Sequence, residues 1–245
     1  MEHEITFLFY ALLLLVAFLY ASVGHGGASG YLALMALYEF TPDVMRPTAL
    51  LLNIFVSGIA FLAYFKSGSF LWKLFLPLAI TAVPAAYIGG FITPPTILYK
   101  QLLGAFLLIP AIRFILPLEA KDVQQNELNL YLALLMGAGI GLISGILGIG
   151  GGIILSPILI LLGWSNVRQA AAVSALFILV NSISGLAGQM QQGISFSQDM
   201  VLMVGIALVG GLCGSYFGAF RFNQKTLKIS LSVVLFIASL KLLFS

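Results

Sequence analysis

Apolar runs interrupted by glycine, proline and charge divide the chain into ten segments. They fall at roughly 5–23, 28–40, 46–65, 72–92 and 97–117, then at 129–147, 152–163, 168–190, 199–220 and 225–244. Most approach the roughly 20 residues that a helix needs to cross a ~30 Å hydrocarbon core. Two are too short, 28–40 and 152–163. Each follows a glycine-dense break, Val23-Gly24-His25-Gly26-Gly27-Ala28 or Leu147-Gly148-Ile149-Gly150-Gly151-Gly152. The pattern predicts an all-α integral membrane protein of eight to ten membrane segments, with the two short ones as half-helices or broken spans. The plainly hydrophilic stretch, 118–127, has no apolar period and reads as a linker. It separates a first repeat, 1–117, from a second, 129–245, with 118–128 between them.

The halves match in detail. Gly24 and Gly148 lie 124 residues apart, as do Gly90 and Gly214. Thr48-Ala49-Leu50 and Ser174-Ala175-Leu176 pair at an offset of 126, and Lys100 with Lys228 and Arg113 with Lys241 at 128. Five crossings per half is an odd number, so the second half enters the membrane from the opposite side. That predicts an inverted repeat, an architecture of secondary transporters that bind substrate at broken helices near the midplane.

Composition agrees with the pattern. Hydrophobic residues make up 61% of the chain and charged ones 8%, far below the roughly 25% that a water-facing surface carries. The acidic start, Met1-Glu2-His3-Glu4, and the lack of a small-residue cleavage site predict a retained first span rather than a signal peptide. With one cysteine, Cys213, the chain has no internal disulfide and no multi-cysteine metal cluster. The basic residues are dispersed over turns, which fits a positive-inside membrane protein and not a nucleic-acid binder. Eight of the eleven Lys and Arg residues fall in the even-numbered turns. These turns, including the linker, are therefore expected in the cytoplasm and both termini outside, in the inner membrane.

The breaks carry the candidate chemistry. Glycine runs favour unwound backbone, which the membrane interior tolerates only when protein or a water-filled cavity covers it. Helices starting near Ala28 and Ile153 would present free N–H groups and a partial positive charge to one midplane site, which suits an anion. The candidate binding residues are Ser22, Gly24, His25, Gly26, Gly27 and Ser29 at the first break, and Ser144, Gly148, Gly150, Gly151 and Gly152 at the second. Thr48 and Asn53 on the third segment join them, with Ser174, Asn181 and Gln189 on the eighth. Hydroxyls and amides can hydrogen-bond an oxyanion at lower burial cost than a charge. The bland alternative is close helix packing through small residues. His25 could bind substrate, relay protons or cap a helix. Arg46 and Arg168, near the starts of the third and eighth segments, either snorkel to the interface or line an anion vestibule on each face.

Taken together, Ser144 through Gly152, Ser156-Pro157 and Arg168 through Leu176 resemble the sulfite and organosulfonate exporter family TauE/SafE. Ser22 through Gly30 is a degenerate first copy, with His25 at its centre and Ala28 in place of the third glycine. The resemblance covers nearly the whole chain. It implies an inner-membrane secondary transporter of small anions such as sulfite or organosulfonates, a probable exporter, with no cofactor and no metal.

The expected partners are a small anionic substrate and the lipid bilayer, with no nucleic acid; a homodimer is left open. An anion channel, or a carrier of other organic anions, is the alternative. A membrane enzyme would need convergent His, Cys or acidic residues at depth, but Glu39, Asp43, Asp199 and the other acids lie in tails, turns or segment ends. No phosphate-loop pattern for ATP exists in the chain.

Overall fold

A computed structural model describes residues 7–22, 26–115, 126–194, 197–218 and 224–244. Within them lie ten helices: α1 (Phe7–Ser22), α2 (Ala28–Leu37), α3 (Pro42–Lys66), α4 (Trp72–Phe91), α5 (Thr96–Ile115), α6 (Leu130–Leu147), α7 (Gly152–Leu161), α8 (Val167–Met190), α9 (Gln198–Gly218) and α10 (Gln224–Phe244). By length and composition α3, α4, α6 and α8 suffice to cross a membrane. With 20, 21 and 21 residues, α5, α9 and α10 also reach about 30 Å at 1.5 Å per residue.

Local chemistry fixes the helix starts. The Asn166 side chain accepts from Gln169 N, while the Gln169 side chain accepts from Asn166 N, a capping box that opens α8. Asn129 caps α6 by accepting from Leu132 N. α3 starts four residues before the apolar pattern does, at Pro42. Proline fits a first helical position, and Asp43 in the first turn complements the positive helix end.

α2 and α7 have 10 residues each, about 15 Å and half a bilayer core. Both fold back beside the helix that precedes them. Phe9 of α1 stacks on Phe40 and meets Tyr38 edge-on, just after α2. In the second half, Asn126 before α6 donates its N–H to Gly163 O and its side-chain amide to Leu162 O, just after α7. Each half therefore opens with a helical hairpin whose glycine break is at the tip.

Small residues set the directions of the longer helices. Gly137, Gly141 and Gly145 of α6 lie against the backbone of Leu78, Ala82 and Ala86 of α4, so these helices run parallel. On α9, Gly210 and Gly214 meet Leu14 and Phe18 of α1 in the same sense. Backbones this close need glycine at every fourth position, the small-xxx-small seam of membrane helices. α5 and α10 run antiparallel, with Ser232 Oγ donating to Ala111 O and Ser239 Oγ to Gly104 O. α3 and α8 form the central pair. Exchanging α1–α5 for α6–α10 turns the α1/α9 seam into α6/α4 and leaves α3/α8 and α5/α10 unchanged.

Candidate functional site

Both half-helices begin the same way. Gly27 precedes α2 with φ 87°, and Gly151 precedes α7 with φ 80°, left-handed values that L side chains rarely adopt. These glycines lie 124 residues apart, at equivalent points of the two halves. Neither helix start is capped by a side chain. First-turn N–H groups are thus left for something else to bind, each helix start carrying roughly half a positive charge.

The two starts open into one cavity. Gly26, Gly27, Ala28 and Ser29 line it from the first break, and Ile149, Gly152, Ile153 and Ser156 from the second. α3 adds Asn53, Ser57 and Ala60, and α8 adds Ala171, Ser174, Ala175 and Ile178, around a narrow cavity of about 20 Å3. Asn53 and Ile178 are each twelfth in their helices of 25 and 24 residues, so the cavity floor lies near the middle of the bundle. From there it extends toward the end of α3 and the start of α8.

Its polar groups are only partly satisfied. Ser29 Oγ and Tyr20 Oη share a 2.7 Å hydrogen bond, Ser57 Oγ donates to Asn53 O, and Ser156 Oγ donates to Ser174 Oγ at 2.7 Å. Asn53 is fully buried, yet neither atom of its side-chain amide has a partner. The same holds for Asn181, and Ser182 Oγ is unpaired beside it in sequence. A buried amide without hydrogen bonds costs about 1–3 kcal/mol, and Asn53 leaves both its donor and its acceptor unused in a cavity wall. Asn53 also touches both breaks. A Cβ on Gly150 would stand 2.6 Å from Asn53 Nδ2, and one on Gly26 would stand 3.6 Å from Asn53 Oδ1.

Of the residues expected at the site, Gly26, Gly27, Ser29, Asn53, Gly152 and Ser174 line this cavity. Gly150 abuts its Asn53 wall, while Gly151 packs against Ile140 and Phe177 and Gly148 against the Arg46 backbone. Ser144 and Asn181 are buried without side-chain partners and lie outside the lining. Thr48 is turned onto its own helix, Oγ1 donating to Val44 O. Gly24 and His25 lie outside the described residues, as does the side chain of Ser22. The two arginines part company: Arg168 is exposed, whereas Arg46 is buried and lines a second cavity together with Gln189. Ile178 was not expected. It meets a Cβ placed on Gly26, Gly150 or Gly152, and no polar-residue search marks an isoleucine as the common wall of two breaks.

Long apolar helices with large exposed hydrophobics, and two uncapped half-helices that meet at one cavity, define a multi-pass membrane transporter. A family profile, Sulfite exporter TauE/SafE, matches residues 9–242, and the chain belongs to that family. It is 35% identical to the probable membrane transporter protein y4hK of Sinorhizobium fredii, over 94% of each chain. It is 29% identical to the probable membrane transporter protein YdhB of Bacillus subtilis, covering 95% of this chain and all of that one. Against the probable membrane transporter protein MJ0441 of Methanocaldococcus jannaschii identity is 30%, over 71% and 70% of the two chains. No solved structure gives a significant match.

Proposed function

We propose that the chain is a secondary carrier of small anions, sulfite or organosulfonates among them, that exports them across the inner membrane through the cavity between the glycine breaks. The observation that carries this reading is the convergence of two uncapped helix starts on one cavity walled by the unpaired amide of Asn53. Two partial positive ends and neutral donors fit an oxyanion without a buried cation in the same cavity. α5 and α10 run antiparallel, and so do α3 and α8, where Leu50 meets Gly185 and Gly58 meets Leu179. This course of the equivalent pairs supports an inverted relation between halves divided near 118–128. Access would then alternate as one half rocks against the other around the bound anion. The charge distribution supports a cytoplasmic linker with both termini outside.

Proteoliposomes loaded with sulfite, methanesulfonate, sulfoacetate or acetate test the reading directly. Saturable flux of at least one anion is expected, abolished by Asn53→Leu. Flux of no anion in the panel by a correctly folded protein would count decisively against it.

A further inference from the structure

A second cavity opens where α3 begins and α4 and α8 end. Arg46, Gln189, Thr93, Asp43, Gln192 and Met200 help to line a cavity of about 240 Å3. Arg46 precedes Asn53 by seven residues on α3, so about 10 Å along the helix axis separates the two sites.

Arg46 is only 4% exposed, and a guanidinium keeps its charge. Its Nη2 donates to the carbonyls of Gly90 at 3.2 Å, Ile92 at 2.8 Å and Gly145 at 3.4 Å, near the C-terminal ends of α4 and α6. Those contacts fix the side chain through one nitrogen of the three, and Nε has no partner. Gln189, also 4% exposed, reaches Gly145 O through Nε2 at 3.5 Å and leaves Oε1 unpaired. Asp43 lines the cavity from the first turn of α3 and acts on Arg46 electrostatically, but it forms no contact ion pair with it, the ion pair among the described residues joining Lys241 to Glu39. A buried cation with an unused donor, and with Asp43 near it but not in contact, still attracts an anion, because a buried charge without a contacting partner is costly. If Arg46 merely fastened α4 to α6, neither the open cavity nor the unpaired Nε would be needed.

We propose that this cavity is a second anion site, which takes a small sulfonate or carboxylate on the Arg46 guanidinium and presents it to the glycine cavity along α3. The guanidinium fork matches the paired oxygens of either group, which a lysine cannot do. This site rests on the reading of the chain as an anion carrier. Arg168, the expected counterpart, is exposed, so the second site belongs to one end of the molecule.

Equilibrium binding of radiolabelled methanesulfonate and acetate to the full chain in nanodiscs tests it. The wild type is expected to bind at two sites. Arg46→Gln should weaken one of them at least about tenfold, the loss of a charge-assisted hydrogen bond, while Asn53→Leu removes the other. Thr93→Trp fills the second cavity and leaves the Arg46 carbonyl contacts in place; it should remove the same site as Arg46→Gln with an unchanged melting temperature. Two sites that survive both Arg46→Gln and Thr93→Trp, or a single wild-type site that does so, overturn the Arg46 site and leave the carrier reading intact. Wild-type protein that binds neither probe and carries no anion removes both.

Discussion

At the scale of single residues, the site is marked by what is left unsatisfied. Asn53 spends burial on an amide that bonds to nothing, and such a group lowers stability unless a ligand uses it. Replacing it by leucine, of similar volume, should abolish transport while leaving ligand-free stability unchanged or raising it by up to about 2 kcal/mol. Flux and the melting temperature of the same preparation decide it; a sharp drop in melting temperature would mark Asn53 as part of the scaffold. Gly150→Ala attacks the same group from the other side. Its Cβ would crowd Asn53 Nδ2, and φ of 72° is unfavourable for alanine, so a loss of about 1–2 kcal/mol is expected from the backbone alone. Transport should fall with it. If Gly150→Ala carries anions at the wild-type rate, the glycine serves packing only.

At the scale of elements, the half-helices depend on being held at both ends. The start of α2 is held by the Tyr20–Ser29 hydrogen bond, and its end by Lys241 of α10, whose Nζ donates to Leu37 O at 2.9 Å and pairs with Glu39 at 3.1 Å. A cation at a helix C-terminus and its hydrogen bond together stabilise by about 1 kcal/mol at a part-exposed site. Lys241→Met should lower thermal stability by that order and impair transport more than stability, because α2 carries one wall of the cavity. Unchanged flux in Lys241→Met would show that α2 is positioned without it. All ten helices were legible in the sequence, because apolar length and glycine breaks are one-dimensional signals. Which side chains face the cavity was not. Thr48 and Asn53 look alike on paper as polar residues of one apolar segment, yet the five-residue step between them turns one hydroxyl back onto Val44 O and the other side chain into the cavity wall. Arg46 next to Pro47 reads as a residue at a membrane edge. Its burial follows from the ends of α4 and α6 closing over it, a contact between segments far apart in the chain.

At the scale of the whole molecule, hydrogen bonds assign the helix ends to faces. The start of α1 meets the start of α9 through Tyr10 and Asp199, and the end of α10 meets the end of α2 through Lys241. The start of α3 meets the ends of α4 and α6 through Arg46, and the start of α5 meets the end of α6, where Tyr99 Oη donates to Leu147 O. These ends share one face, and with it the mouth of the Arg46 cavity. The turn between α3 and α4, around Ser67, belongs to the other. The central cavity extends toward that second face from Asn53, so each cavity approaches the midplane from its own side, and residues of α3 between Arg46 and Asn53 separate them. A carrier that alternates access needs this arrangement, whereas a channel needs one continuous path. The opposed faces can be tested in a Cys213→Ser background, which removes the exposed native thiol. With Thr93→Cys or Ser67→Cys introduced singly, a membrane-impermeant maleimide applied to intact cells should label position 93 and spare 67. In inside-out vesicles the preference should reverse. Equal labelling of both positions from one side would refute the opposed faces, and with them the proposed alternating access.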